Sequence, residues 1–120
     1  MPTIMTVDDT ASMRQMISFT LTSAGYTVTQ ARDGDDALSL AQQSKFDLVI
    51  TDINMPNMDG ITLVGKLRAL PDYRFTPILM LTTESQESQR QAGKSAGATG
   101  WIVKPFNPEQ LIHIVRKVLS

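Results

Sequence analysis

The sequence predicts an α/β fold, a doubly wound parallel sheet of five strands carrying five helices, and three observations lead there. Short apolar runs alternate five times with segments of helical length. Two of the runs, VIT at 49–51 and ILMLT at 78–82, are apolar without period-two alternation, the pattern of strands covered on both faces. At 120 residues and 42% hydrophobic, the chain fits one domain with a real core and leaves no length for a second.

Each element has its own justification. TIMTV (3–7) is the first strand, and residues 10–24 follow as an amphipathic helix with Met13, Met16, Ile17, Thr20, Leu21 and Ala24 on one face. YTVTQA (26–31) is the second strand; residues 35–43 give a shorter helical stripe of Ala37, Leu38 and Ala41. FDLVIT (46–51) is the third strand, and residues 61–70 form a helix through Leu63, Val64, Leu67 and Leu70, with Asp59 at its cap. PILMLT (77–82) is the fourth. The next segment, SQESQRQAGKSA (85–96), has only small apolar residues and a Gly93 that costs roughly 1 kcal/mol against Ala inside a helix, so it is the loosest helix. TGWIVK (99–104) is the fifth strand. In the last helix Asn107 caps, Pro108 suits the first turn, Gln110 reaches back, and Leu111, Ile114, Val115 and Val118 form the buried stripe.

Composition narrows the function. Eleven basic and twelve acidic residues nearly cancel to a net charge of −1, so no basic face for nucleic acid is indicated. There is no cysteine, which excludes disulfides, thiol catalysis and thiolate metal sites, and the single His113 cannot build a histidine metal cluster. The start, MPTIMTVDDT, has neither a basic lead nor a long apolar segment, and no run of about 18 apolar residues occurs. The expectation is a soluble cytoplasmic protein that binds neither nucleic acid nor membrane.

Open parallel sheets place their reactive edge at the carboxyl ends of the strands, where the strand order reverses. In this chain those ends are polar: Asp8 and Asp9 after the first strand, Asp52 after the third, Thr82 and Thr83 at the fourth, Lys104 at the fifth. Two carboxylates about 4 Å apart repel by on the order of 4 kcal/mol at an effective dielectric near 20, so the cluster needs a cation. Oxygen ligands without His or Cys select a hard ion, and Mg²⁺ is expected, with Mn²⁺ as substitute. A carboxylate nucleophile beside a metal, a lysine and a hydroxyl makes a phosphoryl-acceptor site.

Five motifs in order, VDD (7–9), DINMPNMDG (52–60), MLTTE (80–84), SAGA (95–98) and WIVKPF (101–106), resemble a response-regulator receiver domain of the CheY-like chemotaxis type across the whole chain. The resemblance implies a flavodoxin-like strand order of 2-1-3-4-5. It implies Asp52 as the phosphorylated residue, Asp9 as a direct Mg²⁺ ligand, Asp8 acting through water, and Asn54 giving its backbone carbonyl to the metal. Thr82 matches the switch hydroxyl, Lys104 the lysine that pairs with the phosphoryl group, and Pro105 a proline often held in cis. Asn54 and Glu84, each two residues beyond a site residue, match positions that tune dephosphorylation. Trp101 departs from the family's usual Tyr, Phe or His, and its larger, donor-only indole implies a shifted balance between inactive and active states.

Taken singly, these features have plain readings: Asp8 and Asp9 as a solvated turn and helix cap, Thr82 and Thr83 as a cap, Lys104-Pro105 as a chain turn, Met13 and Met16 as core filler, His113 as an ordinary surface residue. Together at four strand ends they favour a site. The implied partners are a histidine kinase as donor and a flagellar motor switch protein as target, and a phosphatase is a further implied partner. The alternative is a phosphorelay shuttle serving a histidine phosphotransfer protein. A haloacid-dehalogenase-type phosphohydrolase fits less well, since Asn54 stands where that class places a second acid. A flavin-binding module fits poorly, since acids follow the first strand where a phosphate-binding hydroxyl loop belongs.

Overall fold

The computed structural model describes residues 2–83 and 87–120. Five strands, β1 (Thr3–Val7), β2 (Thr27–Ala31), β3 (Leu48–Asp52), β4 (Ile78–Thr82) and β5 (Gly100–Val103), alternate with helices α1 (Ala11–Ser23), α2 (Gly34–Gln43), α3 (Gly60–Arg68), α4 (Glu87–Ala96) and α5 (Pro108–Leu119). All pairings are parallel, and the order is β2-β1-β3-β4-β5, as the resemblance implied. From β1 the chain steps outward to β2, then returns across β1 to β3, so the order reverses between β1 and β3.

Helices cover both faces of the sheet, which is why every residue of β3 and β4 is buried. On one face Ile4, Leu48, Ile50, Leu79, Leu81 and Ile102 pack against Ile17 and Leu21 of α1 and Leu111 and Val115 of α5. On the other, Met5, Val7, Val49 and Met80 meet Ala37 and Ala41 of α2 and Leu63, Val64 and Leu67 of α3. Among the described residues no helix is long and apolar enough to cross a membrane.

Capping explains where several helices begin. The Asn107 side chain accepts from the Gln110 N–H while Gln110 accepts from the Asn107 N–H, with Pro108 in the first turn, as the sequence predicts. Asp59 caps α3 by accepting from the Thr62 N–H, and Asp33 caps α2 by accepting from the Asp36 N–H. Thr10 stands at the start of α1 without a side-chain capping bond. Most boundaries shift by a residue or two from expectation. β3 runs Leu48–Asp52, starting two residues later than expected, and the third helix ends at Arg68, with a short 3-10 turn at Pro71–Tyr73.

Arg68 accounts for that ending. Its guanidinium donates to the carbonyls of Tyr73 and Thr76 and, through two nitrogens, to the carbonyl of Gly97 at 3.0 and 2.8 Å. Burial lowers its pKa from the usual guanidinium value, as expected for a cation whose charge is met by carbonyl dipoles. Gly97, at φ +115°, closes α4 in a conformation that L side chains rarely adopt, and a Cβ there would lie 2.9 Å from Arg68 Cγ. One side chain thus ties the ends of α3 and α4 to the entry of β4. Replacing it by Met would strip partners from three carbonyls, each worth about 1–3 kcal/mol when buried. The expected cost of Arg68→Met is roughly 2–4 kcal/mol by urea denaturation, with the retained methylenes preserving part of the packing.

Candidate functional site

Register builds the site. In β1 and β3 Val7 pairs with Thr51, so the next residues, Asp8 and Asp52, emerge side by side. Between β4 and β5 Thr82 pairs with Val103, so Lys104 follows directly. Asp8, Asp52, Thr82 and Lys104 therefore reach one rim, next to the reversal between β1 and β3. Asp9 joins them: the carboxylates of Asp8, Asp9 and Asp52 offer oxygen atoms that all lie within 4.8 Å of one another.

The acceptor-like carboxylate is held from two sides. Asp52 is 7% exposed, and its Oδ1 accepts from the Ile53 N–H at 2.9 Å and from Lys104 Nζ at 3.2 Å. Both bonds fall on one oxygen, so Oδ1 is the anchored atom of this carboxylate. Gly60 makes the loop behind it possible. A Cβ there would lie 2.1 Å from the Asp52 carbonyl oxygen, and the Gly60 N–H donates to the Ile53 carbonyl at 2.7 Å. Asn57, at φ 70°, takes the left-handed conformation that completes this turn.

Asp8 is 2% exposed, and only its Oδ1 finds a donor, the Thr10 N–H at 2.8 Å; Oδ2 is buried without a hydrogen-bond partner. Burial pushes this carboxyl above the usual carboxylate range, the Thr10 bond opposes that, and the Asp52 charge adds to it. Asp8 and Asp52 at such separations repel on the order of 3 kcal/mol at an effective dielectric near 20. A buried, unpaired carboxylate oxygen facing two more acids is a place that a hard cation fits.

The remaining predicted residues divide. Thr82 is fully buried, and its hydroxyl donates to the Thr83 carbonyl at 3.1 Å, so in this state it is committed to a local bond. The Lys104-Pro105 peptide bond is cis, as the resemblance implied. Asn54 is exposed on the loop after Asp52, and His113 is exposed on α5, on another part of the surface from the acids. Glu84 lies outside the described residues. Trp101 is half-buried against the core on the α2 and α3 face.

Three contributors were not foreseen. Arg14 Nη1 donates to the Asp8 carbonyl at 2.7 Å and steadies the turn that presents both acids. The periodicity of α1 gives no hint of this, because the arginine reaches backward past the helix start. Gly60 stands in the motif DINMPNMDG without a role of its own in the sequence reading and is a close-approach glycine. Gly93 read only as a weak point, yet it is buried, and a Cβ there would lie 2.9 Å from Met80 Sδ and 3.0 Å from Trp101 Cζ3. The missing side chain is what makes room for the indole.

Residues 4–116 match the family described as response regulator receiver domain. Chemotaxis protein CheY-3 of Vibrio cholerae is 39% identical over 118 residues, covering 98% of this chain and 91% of that protein. A solved structure of CheY4 from Vibrio cholerae superposes with a TM-score of 0.95 at 52% identity, covering 99% of both chains. The transcriptional regulatory protein ResD of Bacillus subtilis is 34% identical, and the chain spans about half its length, 47%.

Two outcomes follow from the geometry. Because the folded-state pKa of Asp8 is raised, the folded protein holds a proton that the unfolded chain releases. That stabilisation is full below the ordinary carboxylate value of 3.8 and is lost as pH rises through the raised value. Asp8→Asn is therefore expected to be more stable than the parent in metal-free thermal denaturation at pH 7, and to lose the advantage at pH 3. Gly93→Ala ordinarily gains about 1 kcal/mol of helix stability, but here overpacking against the indole costs about 1–3 kcal/mol. No net gain is expected in urea denaturation, together with a displaced Trp101 fluorescence maximum.

Proposed function

The chain belongs to the response regulator receiver domain family, in which signalling is based on phosphorylation, and from that premise we propose that Asp52 accepts a phosphoryl group from a histidine kinase. The observation that carries this reading is the pairing of Asp52 with Lys104 at 3.2 Å beside two further carboxylates at the divide between β1 and β3. Asp52 Oδ2 attacks phosphorus, and the new oxygen–phosphorus bond forms as the bond to the donor's histidine nitrogen breaks. The Lys104 ammonium leaves Asp52 Oδ1 to meet a phosphoryl oxygen. Thr82 exchanges its bond to the Thr83 carbonyl for another phosphoryl oxygen.

Asp8, Asp9, Asp52 and the backbone carbonyl of Asn54 would hold Mg²⁺, or Mn²⁺ in its place. The oxygen-only donor set and the unpartnered Asp8 Oδ2 support this. Such an ion supplies charge neutralisation for the acids and the phosphoryl group. Asn54 and Glu84 tune the later attack of water, and Trp101 reports and limits the switch.

The output we propose is phosphorylation-dependent protein binding in chemotaxis, with a flagellar motor switch protein as target and the cytoplasm as location. The 39% identity to a chemotaxis protein supports this output. A cleft of about 290 Å³ between β5 and α5, lined by Ile102, Val103, Phe106 and Ile114 among others, supports a peptide partner there. The relay reading, with a histidine phosphotransfer protein as partner, is favoured by one observation: the exposed residues of α4 include Gln91, Lys94 and Ser95, a polar surface for a docking helix.

The test is the affinity for a motor-switch peptide with and without Mg²⁺ and beryllofluoride, a phosphoryl mimic. Tightening of about tenfold, near 1.4 kcal/mol, is expected in the parent and none in Asp52→Ala, which also gains no phosphoryl group from acetyl phosphate. A mimic that shifts Trp101 fluorescence without peptide binding would move the assignment to the relay.

A further inference from the structure

We infer that the apolar cleft bounded by Met13, Met16 and Phe106 receives the leaving group of a small-molecule phosphodonor and makes the protein prefer an aromatic acyl phosphate to an acetyl one. This rests on Asp52 being the phosphoryl acceptor. The cleft has a volume of about 420 Å³ and is lined by Met13, Met16, Thr83, Lys104, Pro105 and Phe106. That lies within the range of about 300–1,000 Å³ in which small-molecule sites fall, and an apolar lining with few polar groups is their usual character.

Lys104 connects the cleft to the chemistry. Lys104 is one of the cleft's lining residues, and the Lys104 ammonium lies 3.2 Å from Asp52 Oδ1, so one side chain joins the cleft to the acceptor. Lys104 lines this cleft and not the one between β5 and α5. A lining that combines a lysine with two methionines and a phenylalanine complements a donor with an anionic phosphate head and a flat apolar body. Methionine sulfur makes favourable contacts with aromatic rings, and its unbranched chain adapts to their faces. An acetyl group is too short to use that surface.

The step balances without a further reagent. An Asp52 carboxylate oxygen forms a bond to phosphorus, the bond from phosphorus to the donor's carboxylate oxygen breaks, and the electron pair leaves with benzoate; no proton is transferred.

The experiment measures Asp52 phosphorylation in the full chain with Mg²⁺ at varied concentrations of benzoyl phosphate and of acetyl phosphate, read by intact mass. Taken from initial rates, the donor concentration that gives half the maximal rate is expected to lie about tenfold lower for benzoyl phosphate. Met13→Ser and, separately, Phe106→Ser are expected to bring the two concentrations together. Equal half-saturation in the parent, or a preference untouched in a folded variant, would overturn the inference while leaving Asp52 as acceptor. Failure of both donors to phosphorylate the parent would instead overturn the acceptor reading.

Discussion

Like charges gathered at one strand edge are the constraint around which this molecule is organised. Asp8, Asp9 and Asp52 converge because parallel strands in register deliver their next residues to the same rim. Their mutual repulsion is held in check by a single lysine from the far end of β5 and by two backbone N–H groups, those of Thr10 and Ile53. The sheet carries this strain because it is buried on both faces, with two separate cores clamping it. A surface loop could not fix four side chains from four segments at hydrogen-bonding distances; five packed strands can.

Much of this was legible in the chain. The α/β class followed from the alternation of strand and helix patterns, and the acids at the strand ends were visible because β3 breaks from VIT directly into Asp52. Both caps named in advance, Asn107 with Gln110 and Asp59, form because their side chains act within one turn of the backbone. The strand order came from the resemblance and not from periodicity, since local pattern carries no information about which strands are neighbours. Arg14, Gly60 and Gly93 were illegible for a related reason. Each owes its role to an atom brought near by tertiary packing: the Asp8 carbonyl, the Asp52 carbonyl and the Trp101 ring.

The fourth helix shows how anchoring and freedom are divided. At its end Arg68 fastens the Gly97 carbonyl to the end of α3 and the entry of β4. Along its length the apolar residues are small, with Gly93 laid against the indole of Trp101. Trp101 lies in β5, three residues before Lys104. The indole and the absent side chain opposite it form a matched pair, in which the larger aromatic is accommodated by the smallest neighbour.

The most direct measurement is to locate the phosphoryl group. After treatment with acetyl phosphate and Mg²⁺, borohydride reduction converts an aspartyl phosphate to homoserine, and peptide mass spectrometry identifies the residue. Conversion confined to Asp52 is the expected result, and it should vanish when Mg²⁺ is removed by a chelator. Modification at Asp8, Asp9 or Asp59 in place of Asp52, or none under conditions where the protein is folded, would contradict the assignment of the site.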